Sequence, residues 1–131
     1  VRSRGLGDVY KRQDHLWEAT PEVGGIRCIN VHWTDRTFAD ARAIAGRLRE
    51  RPRTLLLLAV SEDDGVRLVC ARSDDLPQFN AGIILRDVTQ ALGGRGGGSP
   101  SIAQGGAPPH PANVITKTIQ STISQSLIEA A

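Results

Sequence analysis

A cluster of glycines around one arginine is the part of this sequence best suited to binding chemistry. Five of the six residues from Gly93 to Gly98 are glycine, and the sixth is Arg95. Glycine loses more backbone entropy on folding than other residues, so a cluster needs a reason such as a positive φ or a close backbone approach. Exposed N–H groups around one guanidinium make a compact anion site, whereas the alternative is a flexible connector. We predict a nucleic-acid contact at Gly94, Arg95, Gly96, Gly97 and Gly98.

Three further residues are candidates for the same site. Gln104 and Gly105 follow the cluster, and the Gln104 amide can either contact a base or ribose or satisfy loop backbone groups. Arg72 follows a predicted strand and is placed near the same edge. More arginines crowd the end of the first predicted helix, as a solvated face or as a phosphate-contacting stripe. They are Arg42, Arg47, Arg49, Arg51 and Arg53.

The other titratable residues form no catalytic pattern. A zinc site needs three or four His, Cys or carboxylate ligands close together, and this chain has neither an HxxxH nor a CxxC spacing. The adjacent Asp74 and Asp75 are expected to be solvated turn formers, and no serine has an identifiable base partner. We predict no catalytic residue, metal ligand or cofactor in this chain, and we expect Cys28 and Cys70 to be reduced and buried.

The predicted strands and helices that position these residues indicate an α/β (α+β) domain, in which helices pack on a mixed sheet of about four strands. The expected order is strand, helix, two strands, helix, glycine loop, strand and helix. The continuous apolar run from Leu55 to Val60 is typical of a strand buried on both faces, so Leu57 is expected among the most buried residues. The predicted strands are Ile26–Trp33, Leu55–Val60, Val66–Ala71 and Ile102–Gln104, and the predicted helices are about Arg36–Arg51, Asn80–Leu92 and Pro111 to the end.

The N-terminal part needs separate treatment. The chain has 131 residues, enough for one domain, and it begins with valine, so we expect a fragment. Residues 1–13 have the character of a translated sequencing adapter from a metagenomic assembly and are expected to be non-native. Residues 14–25 are predicted to be a linker, and residues 26–131 are predicted to form the nucleic-acid-binding domain.

The net charge does not by itself indicate a nucleic-acid partner. Of 16 basic and 14 acidic residues, residues 1–13 hold four and one, which leaves 12 basic against 13 acidic residues. Only a local patch can therefore bind an anion. No apolar run approaches the ~18–20 residues of a membrane span, so no membrane partner is expected.

The residues from Leu92 to Gly106, LGGRGGGSPSIAQGG, resemble the signature of the DHH-associated domain, type 1. That domain closes alanyl-tRNA synthetases and the longer alanyl-tRNA editing proteins. The usual pattern is a glycine cluster, Arg-Pro-Asp or similar, a hydrophobic residue and Ala-Gln-Gly. This chain has Ser99 and Ser101 where the family often has an arginine and an acidic residue. The resemblance covers roughly residues 26–130.

The resemblance implies a cytoplasmic domain that binds tRNA, and we expect tRNA-Ala, through shape and backbone contacts. The segment Ala71–Leu76, ARSDDL, is more similar to editing proteins than to synthetases, so an aminoacyl-tRNA deacylase is the expected parent and an alanine-tRNA ligase the other possibility. In editing proteins the zinc and the hydrolytic residues lie in a separate upstream domain.

Two alternatives remain open. The first is the C-terminal substrate-binding domain of a DHH-type phosphoesterase acting on short oligonucleotides. Its relatives tend to have Gly-Gly-Gly-His where this chain has Gly98-Ser99. The second concerns the apolar stripe of the last predicted helix, which is expected to pack on the sheet but can also serve a homo-oligomer. Its residues are Ile115, Ile119, Ile123 and Leu127.

Overall fold

The computed structural model describes residues 15–130, so the expectations for residues 1–13 lie outside the described residues. The elements in chain order are α1 (15–19), β1 (Glu22–Val23), β2 (Ile26–Trp33), α2 (Phe38–Leu48), β3 (Thr54–Glu62), β4 (Gly65–Arg72), α3 (Ala81–Ala91), β5 (Arg95–Gly98), β6 (Ile102–Ala107) and α4 (Ala112–Ala130). The strands form one six-stranded sheet in the order β1-β2-β3-β4-β6-β5. Only β2 and β3 are parallel; the other neighbours are antiparallel. The predicted mixed-sheet fold is confirmed, with six strands instead of about four.

The centre of the sheet is the apolar strand β3. Its residues from Thr54 to Val60 are all buried, and Leu57 is 0% exposed, as predicted. The parallel β2–β3 pair needs a crossover, which α2 supplies. This helix begins later than predicted, because the hydroxyl of Thr37 caps it by accepting the backbone N–H of Asp40 at 3.2 Å.

Both faces of the sheet carry helices, because successive strand residues point to opposite sides. The face that carries α2 buries Leu56 and Leu58, while the face that carries α3 and α4 buries Leu57 and Leu68. The predicted stripe on α4 lies on this second face: Ile115, Ile119 and Ile123 are buried, and Leu127 packs beside them. The stripe is therefore used inside the domain.

The segment predicted as a linker carries structure over its described part. Residues 15–19 are helical, and β1 pairs with β2. Trp17 donates its indole N–H to the hydroxyl of Thr54 at 3.0 Å, and the guanidinium of Arg27 lies 3.9 Å from the ring centroid. In contrast to a linker, this segment packs on the sheet, because a single tryptophan supplies both apolar area and a hydrogen bond. Of the helices between residues 15 and 130, none has the length and apolar character that a bilayer span requires.

Candidate nucleic-acid interface

The glycine cluster forms an edge strand, β5, and not the predicted loop. It pairs antiparallel with β6, in a register that places Gly97 opposite Gln104. The predicted anion nest needs left-handed residues, but within the cluster only Gly93, which follows the end of α3, has a positive φ of 78°. The glycines instead allow the backbone of β5 to lie close to its neighbours, at positions where side chains would collide.

The need for glycine alternates along β5. A Cβ atom at Gly96 would lie 3.1 Å from the side chain of Thr89 on α3, and one at Gly98 would lie 2.7 Å from Cα of Ala103. A Cβ atom at Gly94 would overlap the carbonyl oxygen of Gly106. Gly96 and Gly98 point to the side of the sheet that α3 covers, and Gly94, which precedes β5, points toward β6. By contrast, a Cβ atom at Gly97 would meet nothing within 4 Å.

The hairpin geometry also directs the backbone donors of β5. The N–H of Ser99 donates to the carbonyl of Ile102 at 3.0 Å and closes the β5–β6 hairpin. Hydrogen-bonded and non-hydrogen-bonded pairs alternate in antiparallel strands, so Gly97 bonds inward to β6 while the N–H groups of Gly96 and Gly98 point away from it. Only alternate N–H groups of the cluster are therefore turned toward the sheet edge.

The residues of β5 and β6 that point away from α3 form an exposed surface. Arg95 and Gly97 lie on this side of β5, and their partners on β6 are Gly106 and Gln104. The side chains of Arg95 and Gln104 are exposed, since α2 packs mainly on β3 and β4. We call this surface the open face. It also includes Arg67 of β4, because β4 is the other neighbour of β6 and Arg67 is the register partner of Gly106 there.

Arg67 was missed by the sequence analysis. Its guanidinium lies 4.8 Å from the ring centroid of Phe38 on α2, and the guanidinium of Arg42 lies 5.6 Å from the same centroid. The signal was present in the strand pattern, because Val66 and Leu68 face the core and Arg67 between them must face the other way. Three arginines therefore follow one another across this side of the sheet, Arg42, Arg67 and Arg95.

These three guanidinium groups are not committed to structural bonds. Within residues 15–130 none of the three makes an ion pair or a hydrogen bond. Arg49 from the predicted helix-end cluster instead pairs with Asp74 at 3.5 Å, and Arg53 donates to the carbonyl of Gly25 at 2.9 Å. The helix-end cluster is thus partly consumed by the fold.

Besides Gly94, Gly96 and Gly98, two more of the predicted site residues lie away from the open face. Arg72 donates from Nε to the carbonyl of Phe79 at 2.7 Å and from Nη1 to that of Ser73 at 3.1 Å, so its guanidinium fixes the loop before α3. Gly105 faces α3, where a Cβ atom would lie 2.5 Å from Cα of Gly96. The structure therefore groups Arg95, Gly97 and Gln104 on the open face and does not bring Arg72 or Gly105 to it.

The surroundings of the open face favour anions. From residue 88 to residue 128 the sequence contains no aspartate or glutamate. Within the described residues, no group of three or more His, Cys, Asp or Glu side chains is arranged to hold a metal ion. The β5–β6 part of the open face therefore combines a guanidinium group with a stretch of sequence that has no carboxylate, and such a surface attracts phosphate.

Asp75 and the two cysteines have pKa values that are shifted by their surroundings. The hydroxyl of Ser73 donates to the carboxylate of Asp75 and thereby lowers its pKa, and the backbone N–H of Arg53 adds a second bond at 3.0 Å. This contact holds Arg53 at a φ of 53°. Asp75 is thus more than the solvated turn former that was expected. Cys28 and Cys70 are unpaired; Cys70 is buried as expected, whereas Cys28 is only partly buried, and its desolvation raises its pKa to about 11.

Comparisons with known proteins indicate the same family. The family model of the DHHA1 domain matches residues 27–125. The alanine–tRNA ligase of Geobacillus thermodenitrificans is 32% identical over 100 residues, and that of Ruthia magnifica is 35% identical over 95 residues. These matches cover 74% and 71% of this chain, which spans about 11% of the length of each relative.

A solved structure agrees with the sequence relatives. The C-Ala domain of alanyl-tRNA synthetase from Aquifex aeolicus superposes with a TM-score of 0.68 at 25% identity. The match covers 80% of this chain and 97% of that domain. The similarity therefore extends over the whole of one compact unit in the relative.

Proposed function

The chain belongs to the DHHA1 domain family, and from that premise we propose that it is a nucleic-acid-binding domain whose ligand is tRNA. The observation that carries the proposal is the open face, where arginines without an ion pair lie beside the side-chain-free backbone of β5 and β6, while α2 packs on β3 and β4 next to them. The similarity to a domain of alanyl-tRNA synthetase supports tRNA over other nucleic acids, and tRNA-Ala as the cognate species.

We further propose that the domain acts within a larger protein of the cytoplasm and performs no chemistry itself. The curated relatives support an alanine–tRNA ligase as the parent, whereas the ARSDDL segment supports an editing protein. In either parent, this domain holds the folded RNA while another domain carries the catalytic groups and any zinc.

Binding at the open face is electrostatic and independent of sequence. Arg95 and its neighbours neutralise phosphates and release counterions, which makes the affinity dependent on salt. Gly97 carries no side chain, and a Cβ atom there would meet nothing within 4 Å, so a bulky backbone has room to approach. Gln104 is the register partner of Gly97, lies two residues before Gly106 on β6, and donates or accepts hydrogen bonds at the ribose or phosphate.

The test is tRNA binding by filter retention at two salt concentrations. Arg95→Ala is expected to weaken binding and to reduce the slope of log affinity against log salt by about 0.7–0.9, which is one phosphate contact. Gly97→Val is expected to abolish binding while the domain stays folded, because a Cβ atom there meets nothing within 4 Å.

The matched control is Arg86→Ala. Arg86 is a half-exposed arginine on α3, on the other side of the sheet, and its partner is the equally exposed Asp87. Removing the same charge there is expected to leave tRNA binding nearly unchanged. Equal losses from Arg86→Ala and Arg95→Ala would contradict a defined interface and indicate a general effect of net charge.

A further inference from the structure

We propose that Arg67 and Arg95 hold a single phosphodiester group between their guanidinium groups, over the side-chain-free backbone of Gly106. The inference rests on the proposed function and specifies which chemical group of the ligand the open face takes. The three residues form one cross-strand row, since Gly106 is the register partner of both arginines. We call this row the cradle.

The sheet geometry sets the width of the cradle. Neighbouring strands lie about 4.8 Å apart, so the Cα atoms of Arg67 and Arg95 are separated by roughly 10 Å. Both side chains leave the same face, and nothing rises from Gly106 between them. A Cβ atom at Gly106 would lie 3.5 Å from Cδ and 3.9 Å from Nε of Arg67, so the stem of Arg67 passes beside Gly106 and a methyl group there would contact it.

One wall of the cradle is held in place. The ring of Phe38 lies under the guanidinium of Arg67 at 4.8 Å, and the ring is itself buried against the sheet. Arg42 shares this ring at 5.6 Å, which places a second positive charge near Arg67 without a carboxylate bound to either group in the described residues. Like charges held close without a counterion favour a bound anion.

The shape of the cradle selects phosphate over other anions. A phosphodiester is tetrahedral and carries two free oxygens, so guanidinium groups can bind it from two sides. A carboxylate presents its two oxygens along one planar edge, which suits a single guanidinium. The open face has no exposed aromatic side chain in the part of the chain that the structure describes, so base stacking does not compete with backbone contact.

The decisive experiment is a double-variant cycle on tRNA binding with Arg67→Ala, Arg95→Ala and the combination, each measured over a range of salt. If the two arginines share one phosphate, the double variant reduces the salt slope by about 0.7–0.9, and the two affinity losses are not additive. If each arginine holds its own phosphate, the losses add and the slope falls by twice as much. The second result would overturn the cradle.

A second pair of variants separates geometry from charge. Gly106→Ala adds one methyl group to the gap and changes no charge, and we expect roughly a tenfold loss of affinity from losing a charge-assisted bond. Because that Cβ atom would lie 3.2 Å from the carbonyl oxygen of Val66, the melting temperature of the variant is checked first. Arg67→Lys keeps the charge but loses the fork, and it is expected to lower affinity with the slope retained.

The controls distinguish a failure of the cradle from a failure of the proposed function. Ser121→Thr adds one methyl group to exposed α4 on the far side of the sheet and is expected to leave affinity unchanged. If the wild-type domain does not bind tRNA at low salt, the proposed function fails. If the wild type binds and Gly106→Ala binds equally well, only the cradle fails. Competition by polyglutamate as strong as that by duplex RNA would overturn the assignment to phosphate.

Discussion

Alanine substitutions at Gly94 and Gly97 are expected to have opposite effects on stability, although the two glycines are three residues apart in the same cluster. Gly94 points toward β6, where a Cβ atom would overlap the carbonyl oxygen of Gly106 and lie 2.5 Å from Cα of Ala107. Gly97 points to the open face, and its φ lies outside the left-handed region. Local sequence does not separate the two positions, but their places in the hairpin do.

The magnitudes follow from these distances. At Gly94 the obstructing atoms belong to backbone, so the strand must shift, and overpacking of this kind costs about 1–3 kcal/mol. At Gly97 alanine restricts the unfolded chain without strain in the folded one, which stabilises by about 0.4–1 kcal/mol. The two variants should therefore differ by roughly 1.5–4 kcal/mol, or roughly 6–16 °C in melting temperature for a domain of this size.

The assay is thermal and urea unfolding followed by circular dichroism on the wild type and both variants. The expected order of midpoints is Gly97→Ala, wild type, Gly94→Ala. Equal midpoints for the two variants would refute the assignment of β5 as a paired strand with alternating faces. Such a result would instead indicate that the cluster is the flexible loop that its composition suggests.

Three other predictions concern the core and its titrating groups. Leu57→Ala should lower the free energy of unfolding by about 2–5 kcal/mol through lost burial and a cavity, and a urea midpoint close to wild type would contradict a central β3. The Ser73 bond lowers the pKa of Asp75, so its stabilisation is present above the ordinary value of 3.8 and is lost as pH falls below it. Asp75→Asn should therefore flatten the acid limb of a stability–pH curve, and an unchanged limb would argue against that bond. Burial raises the pKa of Cys28 to about 11, so alkylation at pH 8 should be slow until urea unfolds the domain, and rapid native labelling would show an exposed thiol.

Most of the fold could be predicted because its strongest signals are local. The apolar run of β3 has no polar face, so its burial follows from composition. The helix α3 was identified by its cap, and the side chain of Asn80 does accept the N–H of Ile83, at 3.1 Å. The helix α2 begins at Phe38 because Thr37 supplies the capping hydroxyl, and local sequence leaves the choice among Thr34, Asp35 and Thr37 undecided.

The edge of the sheet could not be predicted, because glycine hides the period of a strand. Alternation is visible only when the two faces carry different side chains, and in β5 only Arg95 carries one. Strand β1 is two residues long and is defined by its pairing with β2 alone. Both elements depend on contacts made elsewhere in the chain.

Only part of the candidate site could be predicted, because some of its residues come together only through the pairing of strands. Arg95 and Gln104 were found because they lie inside an unusual local motif. Arg67 was missed because one exposed arginine in a strand is ordinary, and its relation to Arg95 exists only through the register of β4, β6 and β5. Arg72 was included because it follows a predicted strand and was placed near the same edge, but its guanidinium is taken by backbone carbonyls.

The glycine content of β5 has a consequence for the local dynamics of the domain. Glycine has low strand propensity and no side chain to bury, so this strand is held mainly by its bonds to β6 and by its contacts with α3. Its amide hydrogens should exchange with solvent through local opening at free energies well below that of global unfolding. A ligand that bridges Arg67 and Arg95 would tie this strand to β4. Slower hydrogen exchange at the hairpin would then accompany binding, so an edge that opens easily when free would become ordered where the RNA lies.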